Sequence, residues 1–326
     1  MNSDDANEGS GGMKVHETAV NAATGPKKRQ KSKVSAFFRQ WDLQLMVIPG
    51  VVIVFIFAYI PMYGVLTAFK EYNLIQGFWN SPWVGFKHFE AFFESIYFWR
   101  LLRNTVLLSV YSLIWSFPVP ILFALLLNEV RQRMFKRVVQ TTSYLPHFIS
   151  VAVVVGMLVN FTSPVDGIIN QLLNKVGLPS VHFLAEPGWF RTLFISSGIW
   201  QSFGWESIIY IAAISGINPE LYEAAEIDGA NRIRKMFHIT LPGIMPTIII
   251  LLILSMGNLM TVSFEKILIM YSPAIYETAD VIGTFVYRRG IENGEFSYAT
   301  AISLFNNAIN IVLLILANYT SRKVTE

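Results

Sequence analysis

The chain has 326 residues, of which 53% are hydrophobic and only 14% charged, and its mean hydropathy is +0.46. A soluble domain carries about a quarter charged residues, so lipid is the expected solvent for much of this chain. The lack of cysteine excludes disulfides, thiolate catalysis and Cys-based zinc sites, the five scattered histidines form no metal spacing, and a net charge of +3 is too small and dispersed to attract nucleic acid.

Residues 1–40 are polar and end in a basic cluster, Lys27, Lys28, Arg29, Lys31 and Lys33. No signal-peptide-like apolar core lies near the start, and the composition predicts a disordered cytoplasmic tail followed by a transmembrane domain over 41–326. A helix needs about 20 apolar residues to cross a bilayer, and six stretches qualify. They are Leu45–Phe69, Thr105–Leu127, Ser143–Phe161, Phe190–Ile217, Met245–Met270 and Tyr298–Asn318. Pro49, Pro61, Pro118 and Pro120 read as kinks within spans, since neighbouring helices can satisfy the freed carbonyls. The expected fold is therefore an all-α membrane protein with six transmembrane helices.

The basic residues orient it. With an inside N-terminus, sixteen Lys/Arg fall on the cytoplasmic side and eight on the other, while Lys266 lies within the fifth span. This asymmetry places both termini of a multi-pass membrane protein in the cytoplasm. The first outer connection is crowded with rings, among them Trp79, Trp83, Phe86, Phe89 and Trp99, which suit a membrane interface.

The connection at about 216–242 differs from the rest. Asn218 and Pro219 form a helix start, Glu220 and Glu223 place negative charge near the positive end of the helix dipole, and Leu221, Ala224 and Ala225 form a shallow apolar face. Asp228-Gly229 permits a sharp turn into a second, basic helix containing Arg232, Arg234 and Lys235. A helix this short does not hold alone in water, so it must dock, either on the protein's own cytoplasmic ends or on a separate soluble partner.

Polar side chains inside the later spans are candidates for a solute path. Asn258, Thr261 and Glu265 fall at i, i+3 and i+7 of an expected continuous fifth helix. The fourth span offers Gln201, Trp205 and Glu206, and the sixth offers Ser303, Asn306, Asn307 and Asn310. The bland alternative is that such amides join helices through hydrogen bonds, and that Glu265 pairs locally with Lys266 at the interface. Glu206 is deeper and is expected to face water, a partner or a cavity. The chain has no GxxxxGK[ST] phosphate loop and no persuasive catalytic set, so it is not expected to be an enzyme or to bind nucleotide itself.

The run Glu223-Ala224-Ala225, Gly229, Ile239 and Leu241-Pro242 holds seven positions over twenty residues. It resembles the EAA loop of binding-protein-dependent ATP-binding-cassette (ABC) importer permeases. Further likeness lies in Pro61-Met62-Tyr63-Gly64, Tyr144-Leu145-Pro146-His147, Phe264-Glu265-Lys266, Tyr276-Glu277-Thr278-Ala279-Asp280 and Asn318-Tyr319-Thr320-Ser321-Arg322-Lys323. These look like the carbohydrate, maltose-permease-like group, and its LplB/YteP type, which is associated with polysaccharide-derived oligosaccharides. The resemblance implies a type I importer permease fold and a second permease subunit, usually a different chain. It also implies two cytoplasmic ABC ATPases that bind the ATP and magnesium, an external solute-binding lipoprotein and an oligosaccharide cargo. Glu223, Ala224, Ala225, Asp228 and Gly229 would then form the joint to the ATPase, and no cofactor would be held by this chain. The rival reading, an ion-gradient-driven secondary transporter or channel, predicts inverted repeats between the two halves. None is visible, and it leaves the EAA helix without a purpose.

Overall fold

The computed structural model describes residues 41–325, with side chains described for 44–320. The expected basic tail at 1–40 lies outside the described residues. The chain divides into two compact units at Met62/Tyr63. In the first, helix α1 (Trp41–Val54) carries Pro49 and runs on into a π-helical turn, Phe55–Tyr59. Its large apolar side chains are exposed on every face, from Leu45 to Ile60, as suits a helix solvated by lipid.

The second unit is helical apart from one isolated bridge, Lys70 to Trp83. Its principal elements are α2 (Lys87–Phe93), α3 (Phe98–Ser116), α4 (Pro118–Asn128), α5 (Arg133–Tyr144), α6 (Val151–Thr162), α7 (Ile168–Lys175) and α8 (Pro187–Ser215). These are followed by α9 (Pro219–Ile227), α10 (Arg232–Gly243), α11 (Met245–Gly257), α12 (Phe264–Met270), α13 (Ile282–Tyr287) and α14 (Phe296–Thr325).

Among the described residues three helices are long and apolar enough to cross a membrane: Gln44–Phe69, Phe98–Asn128 and Phe296–Thr320. The count rises to five if each of two bent pairs forms one span. One pair is Arg133–Phe148 with Val151–Thr162, bent by 100°, and the other is Arg232–Gly243 with Met245–Gly257, bent by 59°. The chain is thus an all-α, multi-span membrane protein. Helix α8 is not among these five although its 29 residues reach ~43 Å. It carries Arg191, Gln201, Ser202 and Glu206, and the last three of these meet a cavity.

Pro118 and Pro120 lie within one span, Phe98–Asn128, and the sharpest bends follow Pro146 and fall between Gly243 and Met245. One expectation changes, because the fifth span is not one helix. Residues 258–263 are non-helical, so Asn258, Thr261 and Glu265 do not share a helix face. The break is satisfied from α14. Asn310 Oδ1 accepts from the buried Met260 N–H at 2.9 Å, Asn310 Nδ2 donates to Thr261 Oγ1 at 3.1 Å, and Asn306 Nδ2 reaches Met260 O at 3.4 Å. Non-helical backbone at membrane depth survives only where protein or a water-filled cavity satisfies it, and here two amides do so.

Close approach of helices depends on small residues. A Cβ added at Gly204 of α8 would overlap the Ser143 backbone of α5, and one at Gly257 would lie 2.8 Å from Leu314 Cδ1. Three apolar clusters fill the unit. One, built on Ile121, Ala124, Leu125, Tyr210, Ile214 and Ile244, joins α4, α8 and the entry to α11 at the base of the α9–α10 connection.

One buried carboxylate forms a hub. Asp280, fully buried, accepts from Arg288 Nη2 at 2.9 Å, Arg100 Nη2 at 3.1 Å and Thr284 Oγ1 at 3.0 Å. Asn104 Nδ2 bonds to the Glu277 and Asp280 carbonyls at 2.8 and 3.0 Å, fastening α3 to the segment before α13.

Candidate functional site: a polar cavity and an exposed loop

A cavity of about 460 Å³ opens among α3, α8, the bend before α6, and the break after α11. Beside His147 at the bend, its polar lining comes from three directions. Ser109, Ser112 and Ser116 recur at i, i+3 and i+7 on α3; Gln201, Ser202 and Glu206 come from α8; Asn258, Thr261, Ser263 and Lys266 come from the broken fifth span. Leu113, Ile195, Leu259 and Val262 supply the apolar remainder. Such a mixture suits a solute that offers hydroxyls along with apolar ring faces.

The candidates from the sequence are placed unevenly. Gln201, Glu206 and Asn258 line the cavity. Gln201 Nε2 also donates to Ile149 O at 2.8 Å, satisfying a carbonyl at the 100° bend. Trp205 borders the site, stacking on the cavity-lining His147 with ring centroids 4.7 Å apart and planes 1° from parallel. Glu265 is exposed and does not line the cavity, and Asn306 braces the break at Met260. The expected Glu265–Lys266 pair does not form. Lys266 is 4% exposed and donates through Nζ to Phe194 O at 3.0 Å, with the Phe194 ring centroid at 5.0 Å.

Sequence reasoning passed over the serine stripe of α3, though its period of 3.6 was open to view. It read Lys266 only as a partner for Glu265, although a lone cation in an apolar stretch is by default a functional signal. Ser109 Oγ, in the cavity wall, is buried and has no hydrogen-bond partner.

The α9 loop is built by local rules. Asn218 Oδ1 accepts from Glu220 N at 3.1 Å, and Pro219 occupies the first helical position. At the other end Gly229 takes φ of 75°, and Ala230 N returns to Ala225 O at 2.8 Å, closing the helix with a Schellman turn. Asn231 then caps the next helix by accepting from Arg234 N at 2.9 Å. Lys235 Nζ meets Glu226 Oε1 at 2.5 Å, and this bond holds the Glu226 carboxyl below its ordinary range.

One side of α9 faces the body. Tyr222 and Ala225 are half-buried, and the Tyr222 hydroxyl lies 2.9 Å from Thr240 Oγ1. Leu221, Glu223, Ala224 and Ile227 are exposed, with Ile227 at 88%. The shallow face expected of Leu221, Ala224 and Ala225 is therefore split, with Ala225 turned inward and the other two outward. Asp228 and Gly229 are exposed at the turn.

The loop carrying Glu223–Gly229 lies inside the matched region of a family model. Residues 116–326 match the binding-protein-dependent transport system inner membrane component. The chain belongs to that family. It is a permease subunit of an importer, a transport component and not an enzyme. Among the described residues no group of three His, Asp or Glu side chains is placed to hold a metal ion. Protein LplB of Bacillus subtilis (strain 168) is 43% identical, over 93% of this chain and 98% of its own length. The polygalacturonan/rhamnogalacturonan transport system permease protein YteP of the same organism is 42% identical, over 94% of this chain and 96% of its own. A chain from the crystal structure of a bacterial ABC transporter involved in import of the acidic polysaccharide alginate superposes with a TM-score of 0.83. It is 44% identical and covers 90% of this permease and 99% of that chain. The same alginate transporter in complex with an alginate pentasaccharide-bound periplasmic protein matches equally, with a TM-score of 0.83.

Proposed function

We propose that this permease forms one half of the membrane channel of a carbohydrate ABC importer, passes an oligosaccharide through the cavity, and is driven through α9. The observation that carries the reading is the two-sided character of α9. Its inner side is tied to Thr240 by Tyr222, while Leu221, Glu223, Ala224 and Ile227 are left bare. A nine-residue helix with an uncovered apolar face is stabilised by docking. The occupant that fits is a groove on a cytoplasmic ATPase subunit, which supplies the nucleotide chemistry this chain lacks. Glu223, Ala224, Ala225, Asp228 and Gly229 form the joint. Movement enters α8 and α11 through the cluster of Tyr210, Ile214 and Ile244, against which Met236 and Leu241 of α10 pack.

The topology that accompanies this has six spans, with α8 and the two bent pairs joining the three unambiguous helices, and both termini in the cytoplasm. A second permease chain closes the cavity, two ATPases bind the two loops, and an external solute-binding protein delivers cargo. The cargo class is supported by the names of YteP and the alginate transporter, and by a cavity wall that mixes hydroxyls, amides and apolar surface. Gln201, Glu206 and Asn258 line the path, and Trp205 stands at its edge.

In the reconstituted importer, Ala224→Asp or Gly229→Pro is expected to abolish transport and solute-stimulated ATP hydrolysis while leaving membrane insertion intact. A proline at 229 removes the N–H bonded to Glu226 O and cannot adopt the positive φ. Transport at the normal rate by either variant would refute the joint.

A further inference from the structure

We infer that Lys266 is a specificity residue that reads a carboxylate on the sugar as it enters the cavity. The inference rests on the reading of the cavity as the sugar's path.

Among the described residues one buried carboxylate is paired, while two buried lysines, Lys70 and Lys266, each bond to a carbonyl and sit against rings without a carboxylate. Of the two only Lys266 lines the cavity. Asp280 is matched by two arginines and a threonine hydroxyl. Lys266, equally removed from solvent, has no carboxylate within 4 Å among the described residues; its ammonium makes one hydrogen bond to a carbonyl and one ring contact. An ammonium has three donors, so two N–H bonds are left over at a residue that lines the cavity. A neutral side chain would serve as well for a single bond between α12 and α8, at far lower desolvation cost. At a cavity wall, that leftover donor capacity fits something that is present only part of the time and carries the opposite charge.

The surroundings agree. Gly198, the helical successor of Phe194, has no side chain, and a Cβ there would stand 3.6 Å from Nζ, so the ammonium is left uncovered against α8. The cavity's carboxylate, Glu206, is eight residues further along α8 than Gly198, ~12 Å along the axis, too far to neutralise Lys266. The cavity is thus polarised, positive toward the start of α8 and negative toward the α9 loop. A second cation extends the positive end. Arg191 falls on one stripe with the cavity-lining Ile195, Gly198 and Ser202, at i, i+4, i+7 and i+11. It bonds through Nη2 to Asn104 Oδ1 at 3.3 Å, while its buried Nε has no partner. An acidic sugar approaching along α8 meets Arg191 first and Lys266 next.

The test is equilibrium binding of trigalacturonate and its fully methyl-esterified form to the purified, assembled importer without its solute-binding protein. The two probes share size and hydroxyls and differ in charge. The wild type is expected to prefer the acid by about tenfold, the effect of a charge-assisted hydrogen bond. Lys266→Gln should bring the ratio to near one, and Lys266→Arg should keep most of it. An equal loss for both probes in Lys266→Gln would make the residue a structural clip and overturn the inference, as would an unchanged ratio or no preference in the wild type. Gln201→Ala and Asn258→Ala are read in parallel. If they weaken both probes while the Lys266→Gln ratio stays at the wild-type value, the path stands and only the charge reading falls. If neither probe binds the wild type, or these two variants leave both probes unaffected, the path itself falls.

Discussion

The helical backbone gives way to a turn at Gly229 and to an irregular stretch from Asn258 to Ser263, and the two are held differently. Around Gly229 the bonds that hold the turn come from within a dozen residues: Asn218 caps the start, Ala230 N closes the end on Ala225 O, and Lys235 reaches Glu226. At the second stop the partners come from some fifty residues away, since Asn306 and Asn310 of α14 satisfy Met260. The loop in water can be self-sufficient because water covers what local bonds miss. The break at membrane depth cannot, because unmet backbone groups there cost several kcal/mol each. A self-contained loop is suited to moving as a unit against a partner, and a break braced by a neighbouring helix is suited to holding Lys266 and Asn258 in place.

Substitutions at the two stops should separate them. Asn310→Leu leaves the buried Met260 N–H unpaired and is expected to lower the stability of the whole bundle by about 1–3 kcal/mol, read as an earlier thermal inactivation of the detergent-solubilised importer. An unchanged midpoint would mean the break is not held from α14. Asn218→Ala should cost about 1 kcal/mol, confined to the loop. Hydrogen exchange of amides in α9 should accelerate while the global midpoint stays put, and a matching global loss would erase the contrast.

The smallest effect is a pH response. Glu226 is held below its ordinary carboxyl range by Lys235. Its stabilising contribution is therefore complete above the unfolded carboxyl value and is lost as pH falls through the lower, folded value. Acidification should loosen α9 relative to α10, measured as exchange at residues 226–235, and Glu226→Gln should remove that pH dependence. A response that persists in Glu226→Gln would assign it to another group.

The same division separates what was legible in the sequence from what was not. Asn-Pro before α9, Asp-Gly after it and the EAA spacing are short-range signals, and each appears in the structure as a cap, a positive φ or a closing turn. Gln201, Glu206 and Asn258 were open to suspicion as polar residues in apolar surroundings, and they line the cavity. Glu265 and Asn306 carried the same signal and are placed elsewhere, because polarity alone does not state which way a side chain points. The i, i+3, i+7 argument for Asn258, Thr261 and Glu265 presumed a helix that is broken where α14 can hold it open.

By itself, then, the amino-acid sequence determined the solvent, the helical class, the family and the α9 loop, because hydropathy, capping and turn chemistry act over a few residues. Tertiary structure decided where the fifth span breaks, how Asp280 is paired while Lys266 is left without a carboxylate, and which polar side chains share a cavity. Those depend on groups fifty to almost two hundred residues apart meeting in a medium where an unpaired polar atom is expensive.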